Sequence, residues 1–86
     1  MGGKVTIKNT LAYAVSFKIN PAGKWNVLQP NAKHKYKTYG TFTGYVRDEA
    51  DNYESSSRTG MNPKGKYCII ETRNKVQLAN KNHCSF

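Results

Sequence analysis

A chain of 86 residues with 37% hydrophobic residues, one Trp, six Tyr and three Phe can bury one modest core, which excludes both a large multidomain protein and a disordered one. Fourteen basic residues against five acidic ones leave a net charge of +9, and this excess favours partners that carry phosphate, sulfate or carboxylate groups. No apolar run approaches the roughly 18 residues of a membrane-spanning helix. We predict a single domain over residues 1–86 without a transmembrane segment.

The N-terminal residues lead directly into a strand pattern without the apolar core of a signal peptide. We interpret residues 1–3 as an added remnant ahead of a mature N-terminus. From Lys4 to Lys8 apolar and polar side chains alternate, which indicates a half-buried strand. Tyr13, Val15, Phe17 and Ile19 then share one face of a second strand, the clearest strand signal in the chain.

A turn at Asn20-Pro21-Ala22-Gly23 separates the second strand from a third strand around Trp25 and Val27. Residues 33–47 predict two further strands, divided at Gly40. In the first of them three lysines alternate with His34, Tyr36 and Thr38. Because side chains alternate across a strand, the lysines are predicted to form a row of ammonium groups on one face.

Residues 48–66 are rich in Ser, Asn, Gly and Pro, and we predict a long surface loop there. Residues 67–72 predict a central strand, and Arg73-Asn74 a hairpin turn into residues 75–79. No window shows sustained helical periodicity. The predicted fold is all-β, a small antiparallel β-sandwich or barrel of six to seven short strands stapled by one disulfide.

The two cysteines, Cys68 and Cys84, are compatible with a disulfide, two buried thiols or half of a metal site. We favour the disulfide, because closing this loop would stabilise a small domain by roughly 3 kcal/mol in the loop-closure model. Such a bridge predicts an oxidising environment and a secreted protein.

Catalysis and metal binding have weak support in the sequence. Asp48, Glu49, Asp51 and Glu54 cluster in the polar segment without the spacing of an EF-hand loop. His83 lies beside Cys84, but a disulfide would consume the thiolate that a Cys–His nucleophile needs. We expect no enzymatic activity, no metal and no cofactor.

Interleaved basic and aromatic residues are the constellation that favours a binding function. The predicted binding residues each carry a cation or an exposed ring, and they are Lys8, Lys18, Trp25, Lys33, Lys35, Tyr36, Lys37, Tyr39 and Tyr45. The alternative interpretation is a half-buried strand whose lysines guard a sheet edge against aggregation.

The leading hypothesis is a secreted, monomeric, cationic β-protein that binds an anionic lipid or cell-wall polymer, as antimicrobial, antifungal or toxin-like defence proteins do. A second hypothesis is a secreted effector or inhibitor that binds a host protein through a sheet edge or residues 48–66. A third is a single-stranded nucleic-acid-binding domain.

Overall fold

The computed structural model describes residues 3–86 and contains eight strands and one short 3₁₀-helix. Met1 and Gly2, which begin the predicted N-terminal remnant, lie outside the described residues. The strands are β1 (Gly3–Asn9), β2 (Val15–Ile19), β3 (Asn26–Leu28), β4 (Lys33–Thr38), β5 (Phe42–Asp48), β6 (Ser56–Met61), β7 (Lys66–Thr72) and β8 (Lys75–Asn80), and the 3₁₀-helix spans Lys81–His83.

The strands form two four-stranded sheets that pack as a sandwich. Sheet 1 has the order β4-β1-β7-β8, and sheet 2 has the order β3-β2-β5-β6. Neighbouring strands are antiparallel except β1 and β7, which pair in parallel. The predicted all-β sandwich is confirmed, with eight strands instead of six to seven and with one parallel pairing.

The additional strand lies inside the segment predicted as a long loop over residues 48–66. Strand β6 pairs with β5, placing Met61 opposite Phe42 and Ser56 opposite Val46. It is an edge strand of sheet 2, and Met61 is its only buried residue. Because an edge strand is held by backbone pairing on one side, its side chains need not show the apolar alternation that reveals a strand in sequence.

The core lies between the two sheets and follows the alternation of each strand. Val5 and Ile7 of β1 face Phe17 of β2 and Val46 of β5, and all four are fully buried. Gly44 lies among them at a close approach, because a Cβ atom there would lie 2.5 Å from the Met61 Sδ and 2.9 Å from the Phe17 Cε1. Sheet 1 buries one face here and leaves the other facing outward.

Buried Asn9, at the end of β1, fixes the crossing from sheet 1 to sheet 2. Its Nδ2 donates to the carbonyl oxygens of Tyr13 at 2.9 Å, Leu28 at 3.1 Å and Gln29 at 3.2 Å, while its Oδ1 accepts from the Leu11 N–H at 2.9 Å. These bonds satisfy backbone groups that have no ladder partner at the corner. The side chain therefore holds the end of β3 against the start of β2.

The contact at Gly44 generates a stability prediction. Gly44→Ala should lower the free energy of unfolding by about 1–3 kcal/mol, because the added methyl group overpacks the core against Phe17 and Met61. Urea denaturation measures the change. Ser57→Ala, an exposed position on β6, is the control and should change stability by less than about 0.5 kcal/mol. Equal stability of Gly44→Ala and the wild type would contradict this packing.

Candidate anion-binding surface

The outer face of sheet 1 gathers lysines from three adjacent strands. Because Val5 and Ile7 point into the core, Lys4, Thr6 and Lys8 of β1 point outward. The same alternation directs the lysines of β4 and the first residue of β7 outward, and Lys64 joins them from the preceding turn. We call the resulting surface the lysine face, and its members are Lys4, Lys8, Lys33, Lys35, Lys37, Lys64 and Lys66.

Strand register places several of these cations directly opposite one another. Lys4 pairs with Lys37, and Lys8 pairs with Lys33, across the β1–β4 ladder. Side chains in such pairs are about 5 Å apart at Cβ, and like charges there are destabilising. A sheet selected for stability alone would not need this arrangement.

Two of the carboxylates that could neutralise the lysine face are engaged elsewhere. The buried Asp48 carboxylate accepts hydrogen bonds from the N–H groups of Ala50 at 3.1 Å and Asn52 at 2.9 Å, which caps the turn after β5. Glu49 lies 3.7 Å from Arg47, the one ion pair within residues 3–86. Both carboxylates belong to the sheet 2 side of the sandwich.

Glu71 lies at the far end of β7 from the lysines. It is five positions along the strand from Lys66, which corresponds to about 17 Å. Its Oε1 accepts a hydrogen bond of 2.6 Å from the Tyr13 hydroxyl, and the Tyr13 ring stacks on Tyr53 at 5.4 Å. Burial and this bond to Glu71 raise the pKa of Tyr13 well above its ordinary value. Glu71 therefore has a structural partner away from the lysine face.

The predicted disulfide is confirmed and lies on this same face. Cys68, fully buried on β7, is bonded to Cys84, with Cα atoms 6.3 Å apart. The bond holds residues 84–86 over the outer face of sheet 1, where the Lys8 ammonium donates to the Ser85 carbonyl oxygen. The Lys66 Nζ lies 5.8 Å from the centroid of the Phe86 ring. Cross-linking thus fixes an aromatic side chain beside the lysines.

A cleft of about 320 Å³ opens at this place. We call it the lysine cleft, and it is lined by Lys4, Thr6, Lys33, Lys35, Lys64, Lys66 and Phe86. Its lining contains five cations and no carboxylate side chain.

The predicted binding residues do not form one patch, because they are divided between opposite faces of the sandwich. Four of them belong to the lysine face: Lys8, Lys33, Lys35 and Lys37. Lys18 and Tyr45 instead pair across β2 and β5 in sheet 2. The Lys18 Nζ lies 4.7 Å from the Trp25 ring centroid and 5.3 Å from that of Tyr45, and Arg47 lies 4.2 Å from Trp25. These rings already hold cations of the protein itself.

Two tyrosines near β4 have different positions. The half-buried ring of Tyr36 points between the sheets, with its centroid 5.2 Å from that of Phe17 and 5.0 Å from that of His34. Its contact with a partner stays a prediction. Burial raises the pKa of Tyr36 to about 12. Tyr39, 78% exposed in the turn after β4, remains available for contact, with the Lys37 Nζ 5.7 Å from its ring.

Sequence reasoning missed Lys4, Lys64, Lys66 and Phe86 as members of this surface. The alternation of apolar and polar residues in β1 could have identified Lys4 as an outward-facing residue. The other three reach the site only through the parallel pairing of β1 with β7 and through the disulfide, which no local pattern reveals.

Comparison of the chain with known protein families, curated proteins and solved structures found no match. Across residues 3–86, no helix has the length and apolar character needed to cross a membrane. In the same part of the chain, no three side chains of His, Cys, Asp or Glu converge as metal ligands. The outer faces of the two sheets are therefore the candidate binding surfaces.

The disulfide generates a second stability prediction. Its loss in Cys68→Ala/Cys84→Ala should lower the free energy of unfolding by about 3 kcal/mol, because the bond closes a loop with a sequence separation of 16 residues. Urea denaturation of the variant measures the loss. The wild type under reductant keeps both sulfur atoms and should lose a similar amount. Unchanged stability in both samples would contradict a stabilising role.

Burial of Tyr36 generates a pH prediction. Its folded-state pKa of about 12 exceeds the ordinary value of 10.0. The stability that the protein gains from keeping this phenol protonated is therefore fully present below pH 10.0, and it is lost as the pH rises toward 12. Tyr36→Phe should therefore lose stability less steeply than the wild type over this alkaline range. Chemical denaturation at several pH values measures the slopes, and identical slopes would show that the phenol is not desolvated on folding.

Proposed function

We propose that this protein is a secreted, cationic binding protein that adsorbs through the lysine face onto phosphate-bearing molecules of a cell surface. The observation that carries the proposal is the concentration of lysines on one face of sheet 1 without a carboxylate partner. The direct opposition of Lys4 to Lys37 and of Lys8 to Lys33 costs stability, and an external polyanion would relieve that repulsion.

Phosphate is the favoured partner chemistry because lysine ammonium groups bind it as point charges on long flexible stems. A flat sheet face presents many such groups at once, so affinity would come from the sum of weak contacts. Adsorption of this kind weakens steeply with salt, since exposed charges are screened within about 10 Å at 0.1 M ionic strength.

Secretion is proposed because the Cys68–Cys84 disulfide is suited to an oxidising compartment. A defence role of the antimicrobial, antifungal or toxin-like kind follows as the proposed biological context, because such proteins act by adsorbing to anionic cell surfaces. Phospholipid headgroups and phosphate-bearing wall polymers share the chemistry that the lysine face would recognise.

Two features make single-stranded nucleic acid and a host protein less favoured partners. Binders of single-stranded nucleic acid stack successive bases on several rings beside their cations. The lysine face has two rings beside its cations, Tyr39 and Phe86. Trp25 and Tyr45 lie on the opposite side of the sandwich, where both contact Lys18. The segment 48–66 was predicted as a loop that could bind a protein, but its residues 56–61 form strand β6 and pair with β5.

Vesicle binding tests the proposal. The protein should adsorb to vesicles containing phosphatidylglycerol and not to pure phosphatidylcholine, and adsorption should fall steeply with added salt. Lys35→Gln/Lys37→Gln should weaken adsorption about thirtyfold, because each lysine near an anionic surface contributes about 1 kcal/mol. Co-sedimentation with vesicles measures both effects.

The matched control is Lys24→Gln/Arg47→Gln, which removes the same charge from the β2–β3 loop and from the outer face of sheet 2. It should weaken adsorption less than about threefold. Equal losses in the two variants would show that net charge alone drives adsorption. Tighter binding to a single-stranded oligonucleotide with a defined site size than to the vesicles would overturn the proposal in favour of nucleic acid.

A further inference from the structure

We infer that the lysine cleft is a discrete site for a compact polyol or sugar group that carries two or three phosphate groups. This inference rests on the proposed function and specifies which phosphate-bearing group the surface would select.

The floor of the cleft is Thr6, which is 5% exposed and lies in register between Lys35 of β4 and Lys66 of β7. Strands are spaced about 4.8 Å apart, so the two lysines start about 10 Å from each other across β1. Their side chains therefore rise on both sides of a small, uncharged floor. An anion resting on Thr6 can contact ammonium groups from two directions.

The number of positive charges in the lining indicates how many phosphate groups the ligand carries. Five lysines contribute five positive charges, whereas a phosphate monoester carries about −1.5 to −2 at pH 7. One phosphate would leave most of the lining unneutralised. Two or three phosphates on one scaffold would bring about −3 to −6 and match the lining.

The volume limits the size of the scaffold. A cleft of about 320 Å³ is at the lower end of small-molecule sites, which range from about 300 to 1,000 Å³. It accommodates a ring-sized group, such as a phosphorylated sugar or cyclic polyol, and only a short segment of a polymer. The source could be a membrane headgroup or a soluble phosphorylated polyol, which share this chemistry.

The wall formed by Phe86 makes the site a cleft instead of an open sheet face. Phe86 is held over sheet 1 by the Cys68–Cys84 bond, by the Lys8 contact with Ser85 and by the Lys66 ammonium near its ring. Its position does not change the number of lysines on the face. Removing the ring should therefore affect the discrete site more than general adsorption.

Isothermal titration of the full, oxidised chain with myo-inositol 1,4,5-trisphosphate tests the inference, with inorganic phosphate as the comparison. We expect saturable 1:1 binding that is at least about a hundredfold tighter for the trisphosphate. Lys66→Gln should weaken it at least about tenfold, the loss expected when a charge-assisted contact is removed. Phe86→Ala should weaken it about fivefold, because the Lys66 ammonium loses the ring that lies beside it. Lys75→Gln, on the distant hairpin, should change it less than about twofold.

Vesicle binding distinguishes a membrane headgroup from a soluble ligand. It also distinguishes a failure of the lysine cleft from a failure of adsorption through the lysine face. Preference for phosphatidylinositol bisphosphate over phosphatidylglycerol at equal total charge would support a membrane headgroup. Trisphosphate binding without that preference would support a soluble ligand. Phe86→Ala should retain adsorption to phosphatidylglycerol. Adsorption to phosphatidylglycerol with no saturable trisphosphate binding would overturn the cleft and keep the surface function. Saturable binding without any vesicle adsorption would support the cleft and overturn the surface function.

Discussion

The register of β1 determines which side chains enter the core and which face outward. This strand pairs antiparallel with β4 and parallel with β7, and it buries Val5 and Ile7 between the sheets. Burial of those two side chains obliges Lys4 and Lys8 to face outward, where the lysines of both neighbours also lie. A slip of one residue would exchange the two faces and place lysine ammonium groups in the core. The hydrophobic effect thus determines where the positive charge accumulates.

Stability and proposed function oppose each other on this face. Lysines paired across β1 and β4 repel one another, and no carboxylate among residues 3–86 forms an ion pair with them. Two other features offset the repulsion: a core filled tightly enough to require Gly44 and a disulfide that closes the loop between β7 and the segment after β8. The same disulfide positions Phe86 at the lysine cleft. A covalent bond that stabilises a small domain therefore also shapes the candidate site.

Alternation within single strands could be predicted from the sequence, and pairing between distant strands could not. The patterns around Val5, Phe17 and the lysines of β4 predicted those strands and their outward faces, and chain length with two cysteines predicted the disulfide. Strand β6 was missed because an edge strand needs backbone pairing and little apolar content. The predicted binding residues are divided between the two sides of the sandwich, with Trp25 and Tyr45 beside Lys18 of sheet 2. The sheet to which a strand belongs depends on pairing between segments far apart in the chain, such as Thr6 with Lys66. The pattern of residues within one strand does not indicate its partner.

The proposed function requires that the outer face of sheet 1 binds phosphate-bearing anions. Backbone amide chemical shifts recorded by NMR during titration with myo-inositol 1,4,5-trisphosphate locate the contacts residue by residue. We expect perturbations concentrated on β1, β4, the first residues of β7 and residues 84–86. Perturbations centred on Trp25, Tyr45 and Arg47, or spread evenly over both sheets, would contradict it.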